Sequence, residues 1–152
     1  RDEFRLIIGE PTAEFAKVAV GSALPLDEKL ELPIRGRDMA TGLPREVTIK
    51  NTHIRFALNK SLKTIVDSVK EVIELTPPEL VGDMLKQGIS VCGGGALLRG
   101  FDRLIEKEIA VATTVAEDPL SCVARGLGQI VDGFEEHRAF LDNPLKPLHI
   151  NL

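Results

Sequence analysis

Three consecutive glycines, Gly93, Gly94 and Gly95, constrain this chain more than any other feature. They follow a short apolar run, Ile89-Ser90-Val91-Cys92, and lead through Ala96-Leu97-Leu98-Arg99-Gly100 into a new helical pattern at Phe101. The order reads strand, bare backbone, helix. Glycine lacks a Cβ, so it takes dihedrals closed to other residues and lets another group lie directly on the main chain, while losing more ordering entropy than any other residue. A run of three at a strand end therefore serves either the close approach of a flat or anionic ligand or a tight strand-to-helix turn. Spacing alone leaves both open. Two standard motifs are excluded, because no Lys-Ser or Lys-Thr follows the glycines and their spacing is not Gly-x-Gly-x-x-Gly.

The flanking segments extend this unit. A helix carrying Phe101, Leu104 and Ile105 and a weaker strand at residues 112–115 complete a parallel β-α-β arrangement. Asp118-Pro119 starts a last helix with Leu120, Val123, Ala124, Leu127, Ile130 and Val131 on one stripe, in which Gly126 and Gly128 imply close packing against a neighbour or the glycine loop. Upstream, Thr76-Pro77-Pro78-Glu79 reads as a capping box opening a helix that runs to Gln87 before Gly88. Before it, Asn51 or Thr52 caps a helix with Ile54, Ala57 and Leu58, and a second pattern, Leu62, Ile65, Val66, Val69, Val72 and Ile73, makes a core stripe.

Alternation of Leu30, Leu32 and Ile34, and of Val47 and Ile49, predicts two strands joined through residues 36–44 as a long hairpin, with Pro33 marking an edge strand. Thr12 is the expected N-cap of a helix reaching Val20, with Gly21 beyond its end and Glu14 and Lys17 on one face as a solvated ion pair or as polar lining of a cleft. Residues 1–8 read as the end of a helix closed by Gly9, and the start at Arg1 reads as part of a longer polypeptide. The segment after Phe134 is broken by Pro144 and Pro147 and carries no assigned role.

At 152 residues and 43% hydrophobic content the chain is the size of one domain or of two small lobes sharing a core. A net charge of −4, with no Trp or Tyr, argues against nucleic acid as a partner. Cys92 and Cys122, thirty positions apart, suggest neither a zinc site nor a disulfide framework and read as buried free thiols of a reducing cytosol. His53, His137 and His149 are scattered, and no nucleophile elbow or metalloprotease pattern is present.

These blocks, taken in order, resemble the C-terminal part of the MreB family of bacterial actin-like proteins. The resemblance rests on Ile8-Gly9-Glu10-Pro11-Thr12-Ala13-Glu14, Gly21-Ser22-Ala23, Arg35-Gly36-Arg37-Asp38, Thr41-Gly42-Leu43-Pro44 and Thr76-Pro77-Pro78-Glu79-Leu80. It continues through Gly93-Gly94-Gly95-Ala96-Leu97-Leu98-Arg99-Gly100 and Ala116-Glu117-Asp118-Pro119-Leu120, covering about residues 5–132.

The resemblance implies the second half of an actin-like, ribonuclease-H-like α/β fold, with residues 1–59 as a small α+β lobe containing the hairpin, residues 60–133 as the α/β core and residues 134–152 as a tail; the capped helices predict that residues 60–132 are the better-ordered part. It implies ATP as ligand, with Ala13, Glu14, Phe15, Ala16 and Lys17 on the adenosine side and Gly93, Gly94, Gly95 and Ala96 passing beside the nucleotide. The family's phosphate loops, magnesium-holding residues, water-positioning residues and membrane-inserting segment lie upstream of Arg1, so this chain is expected not to hydrolyse ATP alone and to hold Mg2+ only together with the other half. Self-association into filaments, contact with the membrane adaptor RodZ and a bacterial cytoplasmic location follow from the same resemblance. Cys92 stands where the family usually has threonine, Pro11 where it has arginine and Phe15 where it has a smaller or polar residue. The rival readings are a sugar- or acetate-kinase-like enzyme of the same superfamily and an interaction module without nucleotide.

Overall fold

The computed structural model describes residues 1–142, with side chains described to residue 138. Its elements run β1 (Leu6–Ile7), α1 (Glu10–Val20), β2 (Glu31–Asp38), β3 (Pro44–Lys50), α2 (Asn51–Glu74), α3 (Pro78–Gln87), β4 (Ile89–Val91), a 3₁₀ turn (Gly94–Leu97), α4 (Phe101–Ile109), β5 (Thr113–Val115), α5 (Cys122–Asp132) and α6 (Phe134–Asp142).

The hairpin forms as expected and is longer in strand. β2 and β3 pair antiparallel from Glu31↔Lys50 to Arg37↔Pro44. Opposite charges face each other in register, with Arg35 bonded to Glu46 at 2.6 Å and Lys50 to Glu31 at 3.3 Å, pairs that add a few tenths of a kcal/mol each at an exposed surface. Residues 39–43 make the turn, held by Asp38: its Oδ1 accepts the Ala40 and Thr41 backbone N–H groups at 2.9 Å, and its Oδ2 pairs with Arg45 at 2.8 Å. These bonds, led by the Thr41 N–H and then Arg45, hold the Asp38 carboxyl well below the usual carboxylate range.

A group whose folded pKa is depressed stabilises the fold fully above its unfolded value, about 3.9 for aspartate, and loses that contribution as pH falls through the folded pKa. Asp38→Asn should therefore lower stability at pH 7, and the gap from the parent should narrow progressively below about pH 4. Urea midpoints measured between pH 7 and pH 2 check this, and a gap that stays constant would show that the carboxylate charge is not what holds the turn.

Two expectations fail at the amino end. Residues 6 and 7 are a strand and not a helix end: Leu6↔Asp38 and Ile7↔Arg37 pair β1 to β2, so β2 is the middle strand of the sheet. Pro33 nonetheless sits at an edge locally, because β1 reaches only residues 37 and 38. Thr12 is not the cap of α1, which begins at Glu10 after Gly9 with Pro11 in its first turn, where a missing N–H leaves no bond unmade. Leu6, Ala16, Val20, Ile34 and Ile49 form one core between α1 and the sheet.

Residues 51–74 are one helix, continuous across the 59/60 division drawn from sequence. Its start is fixed by buried Asn51, whose side-chain amide donates to the Glu28 carbonyl at 3.2 Å, and by the Lys50 N–H donating to His53 Nδ1 at 3.0 Å. His53 is thus a cap, packed edge-on against Phe4 at 4.9 Å. Ile54 packs on the first core and Leu58 and Leu62 on a second, formed with Ala23, Phe101 and Ile105, so α2 is the spine shared by both.

The parallel β-α-β unit is present, with Ile89↔Thr113, Ser90↔Thr114 and Val91↔Val115 in register on either side of α4. The capping box at Thr76 does not form: Thr76 Oγ1 donates back to the Val72 carbonyl at 2.7 Å, and Pro77 precedes α3 without a side-chain cap. Asp118-Pro119 makes a turn, and α5 starts later, at Cys122.

Two further expectations about packing are corrected. Leu120, Val123, Leu127 and Val131 are exposed, as are Val72, Leu80 and Leu85, and a Cβ on Gly126 or Gly128 would meet nothing within 4 Å. Neither α3 nor α5 contributes a buried residue; the buried apolar residues from residue 60 onward are Leu62, Val66, Ala96, Phe101, Ile105 and Val111. Past Phe134 the chain continues as α6; residues 143–152, including Pro144 and Pro147, lie outside the described residues. Among the described residues no helix is long and apolar enough to cross a membrane.

Candidate functional site

The glycine loop is aimed by what precedes it. Gly88 ends α3 at φ +79, with a Cβ there only 2.7 Å from the Ala112 carbonyl oxygen, so α3 can stop directly against the approach to β5 only at a glycine. β4 then delivers the chain to Gly93, at φ 83 and ψ 173, a backbone that side chains rarely adopt. The Gly93 N–H donates to the Pro119 carbonyl at 2.7 Å, and the loop closes through Ala96 N–H to Gly93 at 3.2 Å and Leu98 N–H to Gly95 at 3.1 Å.

Ala96 is buried beneath this turn. A Cβ on Gly93 or Gly95 would meet no atom within 4 Å, whereas one on Gly94 would touch Leu120 at 3.5 Å. The loop thus offers open main chain at the carboxyl end of a parallel strand, where ligands of open α/β sheets bind.

On α1, Ala13, Glu14, Phe15 and Lys17 face solvent, Phe15 being 59% exposed, while Ala16 is 1% exposed inside the first core. Glu14 and Lys17 do not pair with each other, so the i,i+3 ion pair considered from sequence is not made.

α1 and the loop are joined by Arg99, a residue to which sequence gave no role. Its guanidinium donates to the Val18 and Gly21 carbonyls at 3.1 and 3.2 Å, satisfying acceptors at the helix C-terminus where a cation is also favoured. Its own carbonyl accepts the Ala23 N–H at 2.8 Å, and Ser22 bridges it in parallel. A Cβ on Gly21 would lie 2.2 Å from the Lys17 carbonyl oxygen and 3.2 Å from Leu98 Cδ1, so the seam closes only around glycine. An arginine placed just after a glycine loop was the available signal.

Two surface hollows lie elsewhere, one beside Leu24, Pro25, Gly100 and Arg103 and one beside Arg1, Arg5 and Met39. The thiols depart from expectation: Cys92 is exposed and Cys122 half-buried. Among the described residues no cluster of His, Cys, Asp or Glu could hold a metal.

The architecture is that of the actin-like filament proteins. MreB5 of Spiroplasma citri bound to ADP superposes with a TM-score of 0.86 at 37% identity, over 95% of this chain and 43% of that one, and the same protein bound to AMPPNP gives 0.85 over 91% and 42%. The MamK double helical filament shares the fold at a TM-score of 0.61 and 21% identity, over 76% of this chain and 35% of that one. The family described as MreB/Mbl protein matches residues 1–139, and the chain belongs to it. The cell shape-determining protein Mbl of Bacillus subtilis strain 168 is 44% identical over 134 residues, 88% of this chain. The chain spans about 40% of the length of that relative.

Proposed function

We propose that this chain supplies the adenosine side of an ATP-binding cleft in an actin-like, cell-shape-determining protein of the bacterial cytoplasm. The observation that carries the reading is the uncovered backbone at Gly93 and Gly95, a cradle that any Cβ would fill, in a family whose member MreB5 was solved with ADP. In this reading Gly93, Gly94, Gly95 and Ala96 pass beside the nucleotide, Ala13, Glu14, Phe15 and Lys17 line the adenosine side, and Ala16 sets the helix from behind. ATP brings the phosphates whose contacts, with Mg2+, belong to the other half of the cleft. Filament formation by the whole protein, and docking of a RodZ-type adaptor on this part, belong to the same proposal.

Binding by the chain alone should be weak, because adenosine contacts without phosphate contacts still carry the ligand's ordering cost. We expect a Kd of about 1 mM or weaker, roughly −4 kcal/mol, similar for ATP, ADP and adenosine and insensitive to magnesium. NMR titration with the three ligands decides it. Micromolar, magnesium-dependent selection of ATP, or measurable turnover, would overturn the half-cleft reading.

A further inference from the structure

Pro119 gathers two cysteines that lie thirty positions apart in sequence. Its carbonyl oxygen accepts the Gly93 N–H at 2.7 Å and the Cys122 thiol at 3.5 Å, and Cys92 is bonded directly to Gly93. The shared Pro119 carbonyl brings the two thiols near each other, and the influence of Cys122 raises the Cys92 thiol above its usual range. Cys92 is exposed and Cys122 half-buried, so small reagents reach the pair.

We propose that Cys92 and Cys122 are a redox pair that closes a reversible intramolecular disulfide, pinning the glycine loop to the first turn of α5 when a peroxide supplies the oxidising equivalents. The thiolate of Cys92 attacks a peroxide oxygen, giving a sulfenic acid and releasing water. The Cys122 thiolate then attacks that sulfur, expelling a second water, so two thiols and one hydrogen peroxide become one disulfide and two waters. A dithiol reductant reverses the step by exchange. Cys92 follows β4 directly and Cys122 opens α5, so the bond ties the base of the loop to the start of α5. Its consequence for nucleotide rests on the proposed cleft, because a pinned loop has fewer conformations in which to receive a ligand; the thiol chemistry stands independently.

The test treats the 152-residue chain with hydrogen peroxide, without nucleotide, alkylates residual thiols and maps peptides without reduction. The expected product is a monomer lighter by about 2 Da with a Cys92–Cys122 cross-linked peptide, restored by dithiothreitol. It should form about tenfold or more faster in the native chain than in urea, where the pair meets only by loop closure. Amide exchange of residues 94–97 should slow in the oxidised form. Cys92→Ser and Cys122→Ser should each remove the cross-link and leave a single oxidised or mixed-disulfide thiol. Equal rates in native buffer and urea, intermolecular disulfides alone, or two independently oxidised thiols would overturn the proposal. Because the readout is mass, failure of nucleotide binding leaves it untouched.

Discussion

Gly36→Ala should destabilise this chain by about 3 kcal/mol, more than any other single methyl addition to its sheet. The added Cβ would sit 2.4 Å from the Ile7 carbonyl oxygen and 2.9 Å from Leu6 Cγ and Ile8 Cγ2, contacts with main chain and core that no rotamer relieves. The loss has a ceiling, because β1 is only two residues long and can leave the sheet. Undocking it exposes Leu6, which is 2% accessible, at about 2–3 kcal/mol of lost burial, together with two residues of pairing.

For a domain of this size such a loss lowers Tm by roughly 6–12 °C. Gly126→Ala is the control: nothing lies within 4 Å of its Cβ position in α5, so alanine's helix propensity should leave stability unchanged or up to about 1 kcal/mol higher. Calorimetry of the two variants should therefore give shifts of opposite sign or widely different size. A Gly36→Ala shift under about 2 °C would mean that β1 does not pack on β2 as described.

The same strand shows where sequence reading ran out. Leu6 and Ile7 pair with residues some thirty positions away, and two residues carry no period of their own, so nothing local separates them from a helix end. The hairpin and the β-α-β unit were legible because alternation and glycine punctuation specify them locally: Gly21 and Gly88 each end a helix where expected. Thr76 was misread because its hydroxyl had a competing acceptor one turn back, at Val72, and a Ser/Thr side chain near a helix end serves either the helix behind it or the one ahead.

The α5 stripe was read correctly as one apolar face, yet it is exposed, and of the core stripe on α2 Leu62 and Val66 are buried while Val72 is not. Periodicity records a face suited to burial; it carries no information on whether the covering surface lies within these 152 residues. The site divides in the same way. Its glycines announce themselves, but the role of Arg99 and the gathering of Cys92 and Cys122 around the Pro119 carbonyl depend on chain reversals that no spacing reveals.

Gly95→Val, placed in a full-length family protein carrying this segment, should reduce nucleotide affinity by at least about 100-fold, equivalent to about 2.7 kcal/mol, while leaving the fold intact. The position is chosen on space and backbone together. Gly93 holds φ +83, so any side chain there strains the loop itself, and a Cβ on Gly94 would already be in contact with the Leu120 side chain at 3.5 Å. Gly95 has neither problem: its backbone is not left-handed and a Cβ meets nothing within 4 Å, so the valine methyl groups fill only the open space above the turn. If a nucleotide lies on that backbone, those methyl groups occupy its volume, and neither Ala96 beneath nor the Arg99 seam gives way without breaking buried contacts.

Affinity and stability are then measured separately, by titration with ATP and by urea denaturation without nucleotide. The expected pair of results is lost binding with a change in folding free energy under about 1 kcal/mol, because an added side chain in open space touches no core. Undiminished ATP binding would place the nucleotide away from this loop. An equal loss of folding and binding would show that the loop is a structural turn, the other reading that three glycines at a strand end allow.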